Sequence, residues 1–147
     1  MGEKGLGSLV VWQKARALAV KLCKDVLPLL PIEERYALSQ QLRRSAQSIP
    51  ANIAEAYGRY SFPDSIRFMY IARGSIEETY SHMMLVQDFE YVSPELMDEC
   101  IVLYRETVKL INGYIEYLKR SGKERSQHVS EGEFIYDEDG PGSRRSS

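Results

Sequence analysis

Thiols and imidazoles are scarce in this chain: its 147 residues include two cysteines and two histidines. Two cysteines cannot build the disulfide framework of a small secreted domain or a four-ligand zinc site. Cys23 and Cys100 fall inside helical patterns, so they read as small core residues of a protein kept in a reducing compartment. Long apolar runs are also missing. None reaches the ~18 residues that a membrane-spanning helix needs. The opening MGEKGLGS has no apolar signal region, and Leu6 stands where a myristoylation motif requires Ser or Thr. A cytoplasmic location with no membrane partner is expected.

An excess of charge is missing as well. Nineteen Lys and Arg face 21 Asp and Glu, a formal net charge of -2. Residues 1–120 are balanced at 15 of each sign, and residues 121–147 hold four basic and six acidic residues. The chain therefore has no global attraction to nucleic acid, and an anionic partner has to be held by a local patch.

Helical periodicity dominates what remains. Residues 9–27 carry one stripe, Val11, Ala15, Leu18, Leu22 and Val26, with Ser8 as a candidate N-cap and Pro28 and Pro31 as stops. Residues 33–59 carry Leu38, Leu42, Ala46, Ile49, Ile53 and Tyr57. Pro50 interrupts this helix without shifting its apolar phase, so one helix kinked at Pro50 is expected rather than two. Residues 63–90 follow the start signal Ser61-Phe62-Pro63-Asp64 with Ser65, Phe68, Ala72, Ser75, Thr79, Met83 and Val86. Gly74 inside this helix suggests a packing reason, because glycine costs about 1 kcal/mol there relative to alanine.

Residues 94–120 open on Ser93-Pro94-Glu95 and close on Lys119, Arg120 and Gly122. The connectors are a few residues each, which makes successive helices antiparallel neighbours. The expected fold is all-α, an antiparallel up-down four-helix bundle over residues 9–120. Residues 1–8 are expected to be a flexible N-terminus and residues 121–147 a disordered polar tail.

Catalytic constellations are not evident. A ferritin-like di-metal site requires two Glu-x-x-His motifs, whereas Glu78 precedes His82 by four residues and no second copy exists. Neither cysteine has a histidine at a nearby spacing, and there is no glycine-rich phosphate loop. No metal, no cofactor and no enzyme activity are expected.

The second helix has the sharper feature. Gln41, Arg44, Ser48, Asn52, Glu55 and Arg59 form a polar line flanked by Arg43 and Gln47. All six basic residues between positions 33 and 73 are arginine, with Tyr57, Tyr60 and Tyr70 among them. Arginine's planar fork suits phosphate and carboxylate and stacks on aromatic faces. Arg43, Arg44, Arg59, Arg67 and Arg73 are therefore candidate contacts to a nucleic-acid backbone. The competing reading is a solvated face, or arginines used in intersubunit ion pairs with Glu55 or Glu78.

The fourth helix has two apolar lines, wider than one face of a four-helix core requires. Leu103, Leu110, Tyr114 and Tyr117 there, with Ile71 and Leu85 on the third helix, are candidate oligomer-interface residues.

Several segments resemble the bacterial "four helix bundle protein" family, which includes proteins encoded in intervening sequences of large-subunit ribosomal RNA genes. Leu9-Val10-Val11-Trp12-Gln13-Lys14-Ala15 is similar to its opening motif. Glu34-Arg35-Tyr36, Leu42-Arg43-Arg44-Ser45-Ala46, Ser48 to Glu55 and Gly58-Arg59 are similar to its central signature, and Phe68 to Glu78 to the segment after it. The family's usual Ile-Ala-Glu-Gly is Ile53-Ala54-Glu55-Ala56 here.

The resemblance implies a non-enzymatic closed homo-oligomeric ring, a pentamer. A related branch, the accessory variability determinant of diversity-generating retroelements, is a basic ring that binds nucleic acid and a reverse transcriptase. The expected function is thus an RNA-associated scaffold with RNA or DNA as partner. The alternative is a purely protein-binding adaptor, for example a reverse-transcriptase accessory subunit. The neutral charge of this chain departs from the basic character of that branch.

Overall fold

A computed structural model describes residues 5–139, with side chains through residue 125. Among these residues the regular elements are helices alone. The four α-helices are α1 (Val10–Lys21), α2 (Leu38–Gly58), α3 (Phe62–Asp88) and α4 (Pro94–Asp139).

Cross-helix pairs establish the topology. Lys14 meets Glu106 at 3.0 Å and Lys21 meets Glu99 at 2.8 Å, so α1 and α4 run in opposite directions. Arg44 pairs with Glu78 while Ser65 reaches the Ala56 carbonyl, which makes α2 and α3 antiparallel. Arg73 meets Asn112, Glu77 meets Tyr104, and Gly122 lies against Phe62, which does the same for α3 and α4. The helices pack in the cyclic order α1, α2, α3, α4. The up-down bundle is thereby present in its expected order.

The core is apolar and continuous. Leu18, Leu22, Leu42, Ile49, Ile53, Met69, Ile76, Met83, Met97, Ile111 and Ile115 are almost wholly shielded from solvent. Each such side chain contributes about 1.5–3 kcal/mol relative to exposure. The α1 stripe is buried as expected. On α3 the buried line shifts by one residue: Met69 and Ile76 are inside, while Phe68 and Ser75 are only half-buried. On α2, Tyr57 is exposed and Ser45 and Ala56 take the inner positions.

Polar groups join α2 to α3. Ser45 Oγ donates to the Leu42 carbonyl at 3.2 Å, and the Thr79 hydroxyl lies 2.9 Å from Ser45 Oγ. Small side chains at Ser45, Ala72, Ser75 and Thr79 leave room for this close approach.

The helix ends differ from expectation in ways with local causes. Ser8 does not cap α1. Its hydroxyl donates to the Gly5 carbonyl at 2.8 Å, within a 3-10 turn over Leu6–Ser8 that also accepts a bond from Gln13. Residues 5–8 are thus part of a turn rather than a flexible lead, and residues 1–4 lie outside the described residues. At its far end α1 widens into a π turn at Leu22–Val26, with Leu27 N–H bonded to the Leu22 carbonyl, just before Pro28. Pro28 has no N–H for the ordinary bond to the carbonyl of Lys24, so the helical ladder changes pitch there.

Glu33 and Glu34 do not begin α2. They lie in a separate 3-10 turn, Ile32–Glu34, and the Glu34 carboxylate accepts the Leu38 N–H at 3.2 Å. α2 then runs unbroken through Pro50. One helix rather than two is correct.

Ser61 caps α3 by accepting the Asp64 N–H at 3.3 Å, and Ser93 accepts from Leu96 at 3.1 Å. α3 ends with Glu90 at φ 59 and Tyr91 N–H bonded to the Val86 carbonyl. This is a Schellman-type close in which a non-glycine residue takes the left-handed position.

α4 overruns its expected stop. Gly122 does not end it, and the helix continues to Asp139. The cause is visible at Gly122: a Cβ built there would sit 3.2 Å from Phe62 Cβ, so this glycine allows contact with α3 rather than terminating the helix. Extending an existing helix needs no new nucleus, and Lys123, Glu124 and Arg125 are good helix formers. The expected disordered tail is thus helical through residue 139, and its last eight residues lie outside the described residues.

Candidate nucleic-acid interface

The five candidate arginines do not form one surface. Arg43 and Arg44 occupy adjacent positions that α2 turns to different flanks. Arg44 faces α3, pairing with Glu78 and sitting 3.0 Å from Gln41 Oε1. Arg43 is exposed and has no ion-pair partner among the described residues.

Arg59 and Arg67 are brought together by the tight turn between α2 and α3. Their guanidinium carbons lie 4.6 and 4.5 Å from the centroid of the same ring, Phe68. Arg59 also bonds Glu55 at 2.8 Å, and Arg67 sits 3.9 Å from Asp64. Arg73 lies on the opposite flank of α3, over the Tyr70 ring at 4.9 Å and bonded to Asn112 at 3.0 Å.

The acidic partners named from sequence, Glu55 and Glu78, are engaged within the chain. All these ion pairs have side chains at least 39% exposed. Each contributes only about 0–1 kcal/mol at such exposure, so a phosphate can displace the carboxylate at low energetic cost.

The antiparallel arrangement sorts the charges along the bundle. The half that contains the α2–α3 turn comprises residues 5–15, 49–75 and 108–125. It carries nine Lys and Arg against four Asp and Glu. The other half, residues 16–48 and 76–107, carries seven against eleven. A chain balanced on average is therefore electrically polar along its axis. Sequence counting missed this because the basic residues of α3 and α4 are far apart in the chain and meet only in the fold. Aromatic residues crowd the basic pole: Tyr60 is fully exposed at 101%, Tyr57 and Tyr70 are part-exposed, and Phe68 is half-buried.

The six candidate interface residues also divide. On α4, Leu103 borders an open groove with Gln13, Ala17 and Val20 of α1, and Leu110, Tyr114 and Tyr117 follow at helical spacing toward the basic pole. Tyr117 is exposed and stacks on Tyr114 with ring centroids 5.8 Å apart. Ile71 and Leu85 lie four turns apart on the outer side of α3. The two groups thus occupy different sides of the bundle.

Burial disfavours the ionised forms of Cys100 and Tyr104. Burial pushes the Cys100 thiol up from 9.0 to about 11. Burial, aided by a 2.6 Å bond to Glu77, raises the Tyr104 phenol. His82 Nε2 lies 3.4 Å from Glu78, and its buried Nδ1 has no partner. Among the described residues no three His, Cys, Asp or Glu side chains converge as a metal site, and no helix is long and apolar enough to cross a membrane.

Fold and surface together define the class: an antiparallel four-helix bundle whose arginines and extra apolar groups are all on the outside. The chain belongs to the 23S rRNA-intervening sequence protein family, whose model matches residues 7–113. It is similar to the solved structure of a protein of unknown function from the S23 ribosomal protein family of Bacteroides thetaiotaomicron. The two are 30% identical with a TM-score of 0.67, over 73% of this chain and 96% of that one. Among curated proteins none matches the chain in sequence.

Proposed function

We propose that the protein is a non-enzymatic homo-oligomeric scaffold that associates with RNA in the cytoplasm, in keeping with a family named for ribosomal RNA intervening sequences. The observation that carries this reading is the apolar surface the bundle leaves uncovered on two separate sides. Val20 is exposed on α1 and Tyr117 on α4, and Ile71 and Leu85 along outer α3. Patches on different sides suit head-to-tail contact between copies, which closes into a ring when the rotation permits. A pentamer is the ring size implied by the resemblance.

Light scattering of the purified full chain is expected to give a mass that is a multiple of the single chain. Mobility-shift titration with RNA is expected to show affinity falling steeply with salt, because each neutralised phosphate releases counterions. A stable monomer at micromolar concentration overturns the scaffold. No shift at low salt overturns the association with RNA.

The balanced net charge favours a second reading, a protein-binding oligomeric adaptor such as a reverse-transcriptase accessory subunit, with DNA or RNA held by its partner. Arg59→Gln combined with Arg67→Gln separates the two. On the first reading the assembly stays intact and RNA binding weakens. On the second, where arginines hold copies or partner together, the mass or the partner complex is lost.

A further inference from the structure

The pole formed by the α2–α3 turn combines three properties found together nowhere else on the bundle. It holds most of the basic excess. Guanidinium groups are spread against aromatic rings there, Arg59 and Arg67 at Phe68 and Arg73 at Tyr70. Lys119 approaches the Tyr70 ring as well, at 5.7 Å, so α4 contributes to the same pole. Tyr60 gives its whole ring to solvent in the turn itself.

The folded chain makes no use of that ring. A fully exposed tyrosine buries no apolar surface, and among the described residues no side-chain hydrogen bond holds it. The arginine pairs have a geometric effect. A guanidinium held against a ring has its rotation restricted, and its planar outer face is presented for a second stacking partner. A flat π-face flanked by flat cations is the chemistry that takes an unstacked nucleobase, with nearby basic groups on the phosphates. Paired bases in a duplex offer only their edges to the grooves, and such a platform cannot stack on them.

We propose that this pole binds single-stranded nucleic acid, RNA foremost, stacking bases on Tyr60 and on the Arg59–Phe68–Arg67 group. The inference rests on the reading of the protein as RNA-associated and adds the strandedness and the location. Glu55 and Asp64, the acidic partners of Arg59 and Arg67, yield their places to phosphates when the strand is bound.

The test is fluorescence anisotropy of the full chain with a labelled 12-nucleotide oligouridylate and with a 12-base-pair RNA duplex, each at several salt concentrations. The single strand is expected to bind at least tenfold tighter than the duplex. Tyr60→Ala is expected to weaken it about tenfold with an unchanged melting temperature, in line with the ~1–3 kcal/mol measured for base stacking on aromatic residues. Arg59→Gln with Arg67→Gln is expected to flatten the salt dependence by about 1.4, two phosphate contacts at roughly 0.7 each. Arg43→Ala, on the other flank of α2, is expected to leave this binding unchanged.

Duplex bound as well as single strand overturns the proposal, as does affinity indifferent to Tyr60→Ala. So does displacement of the oligonucleotide by polyglutamate as readily as by unlabelled oligouridylate. Loss of binding in Arg43→Ala alone moves the site off the pole and leaves the association with RNA standing. Failure to bind either probe at low salt removes the association itself.

Discussion

Glu90 sits at φ 59, where an L side chain crowds the carbonyl that follows it and glycine does not. Glu90→Gly is expected to raise the unfolding free energy by about 1 kcal/mol, read by urea denaturation. The helical glycines give a paired test. A Cβ at Gly113 or Gly74 would meet nothing within 4 Å, whereas one at Gly122 would press on Phe62. Gly113→Ala is expected to gain about 1 kcal/mol from helix propensity, and Gly122→Ala to gain less or to lose.

Among the described residues nothing packs against Gly74 closely enough to supply the packing reason expected for it. In a monomeric bundle Gly74→Ala would stabilise. Loss of assembly mass in that variant would place a neighbouring copy against outer α3.

Buried Cys100 makes a pH prediction of definite sign. Its folded pKa is about 11 against an ordinary 9.0, so the fold prefers the neutral thiol. The corresponding stability is fully present below pH 9 and is lost as pH rises through about 11. Thermal melts from pH 8 to 11 should decline over that window, and iodoacetamide should label Cys100 at neutral pH only after unfolding. The caps of Ser61 and Ser93 were legible from sequence because proline and an acidic residue follow each within the first helical turn, a start signal that Ser8 lacks. Glu34 was not: it caps α2 from four residues upstream, after a turn over residues 35–37 that carries no glycine or proline to announce it.

Between elements, the seam of α2 and α3 depends on short polar side chains in an apolar setting. Ser65 Oγ donates to the Ala56 carbonyl at 2.7 Å, tying the first turn of α3 to the last turn of α2. Ser65→Ala removes this bond and leaves the Ala56 carbonyl only the Arg59 N–H at 3.3 Å. It should cost about 0.5–1.5 kcal/mol in thermal denaturation. The apolar stripes made the four helices legible, since a period of 3.6 residues survives in any environment. The exact inner line of α3 was less so. Phe68 outranks Met69 in size, yet it sits at the edge, where Arg59 of the turn and Arg67 of α3 lie against its ring.

Across the whole molecule, the arginines were visible as a composition bias but their grouping was not. Helical spacing puts Arg44 and Arg59 on one line, while the α2–α3 turn pairs Arg59 with Arg67 and leaves Arg44 to Glu78. Contacts made by chain reversal depend on which faces pack, and that is fixed by tertiary structure alone. Axial charge separation has the same origin.

The overrun of α4 also belongs to this scale. Its 46 residues make a rod of about 70 Å at 1.5 Å per residue, more than twice the length of 21-residue α2. Spin labels at positions 95 and 138, in chains diluted with unlabelled protein, should report a narrow distance near ~65 Å. A short, broad distribution would mean that the helix stops near the bundle.

Gly122 lies against Phe62 of α3, and the 17 helical residues that follow it, 123–139, span roughly 25 Å along the helix axis. A mast of that length acts as a standoff. A fluorophore fixed near its tip would respond to a visitor arriving there while leaving the four-helix body untouched. In a ring of copies, such masts would set the clearance at which anything large approaches the face below.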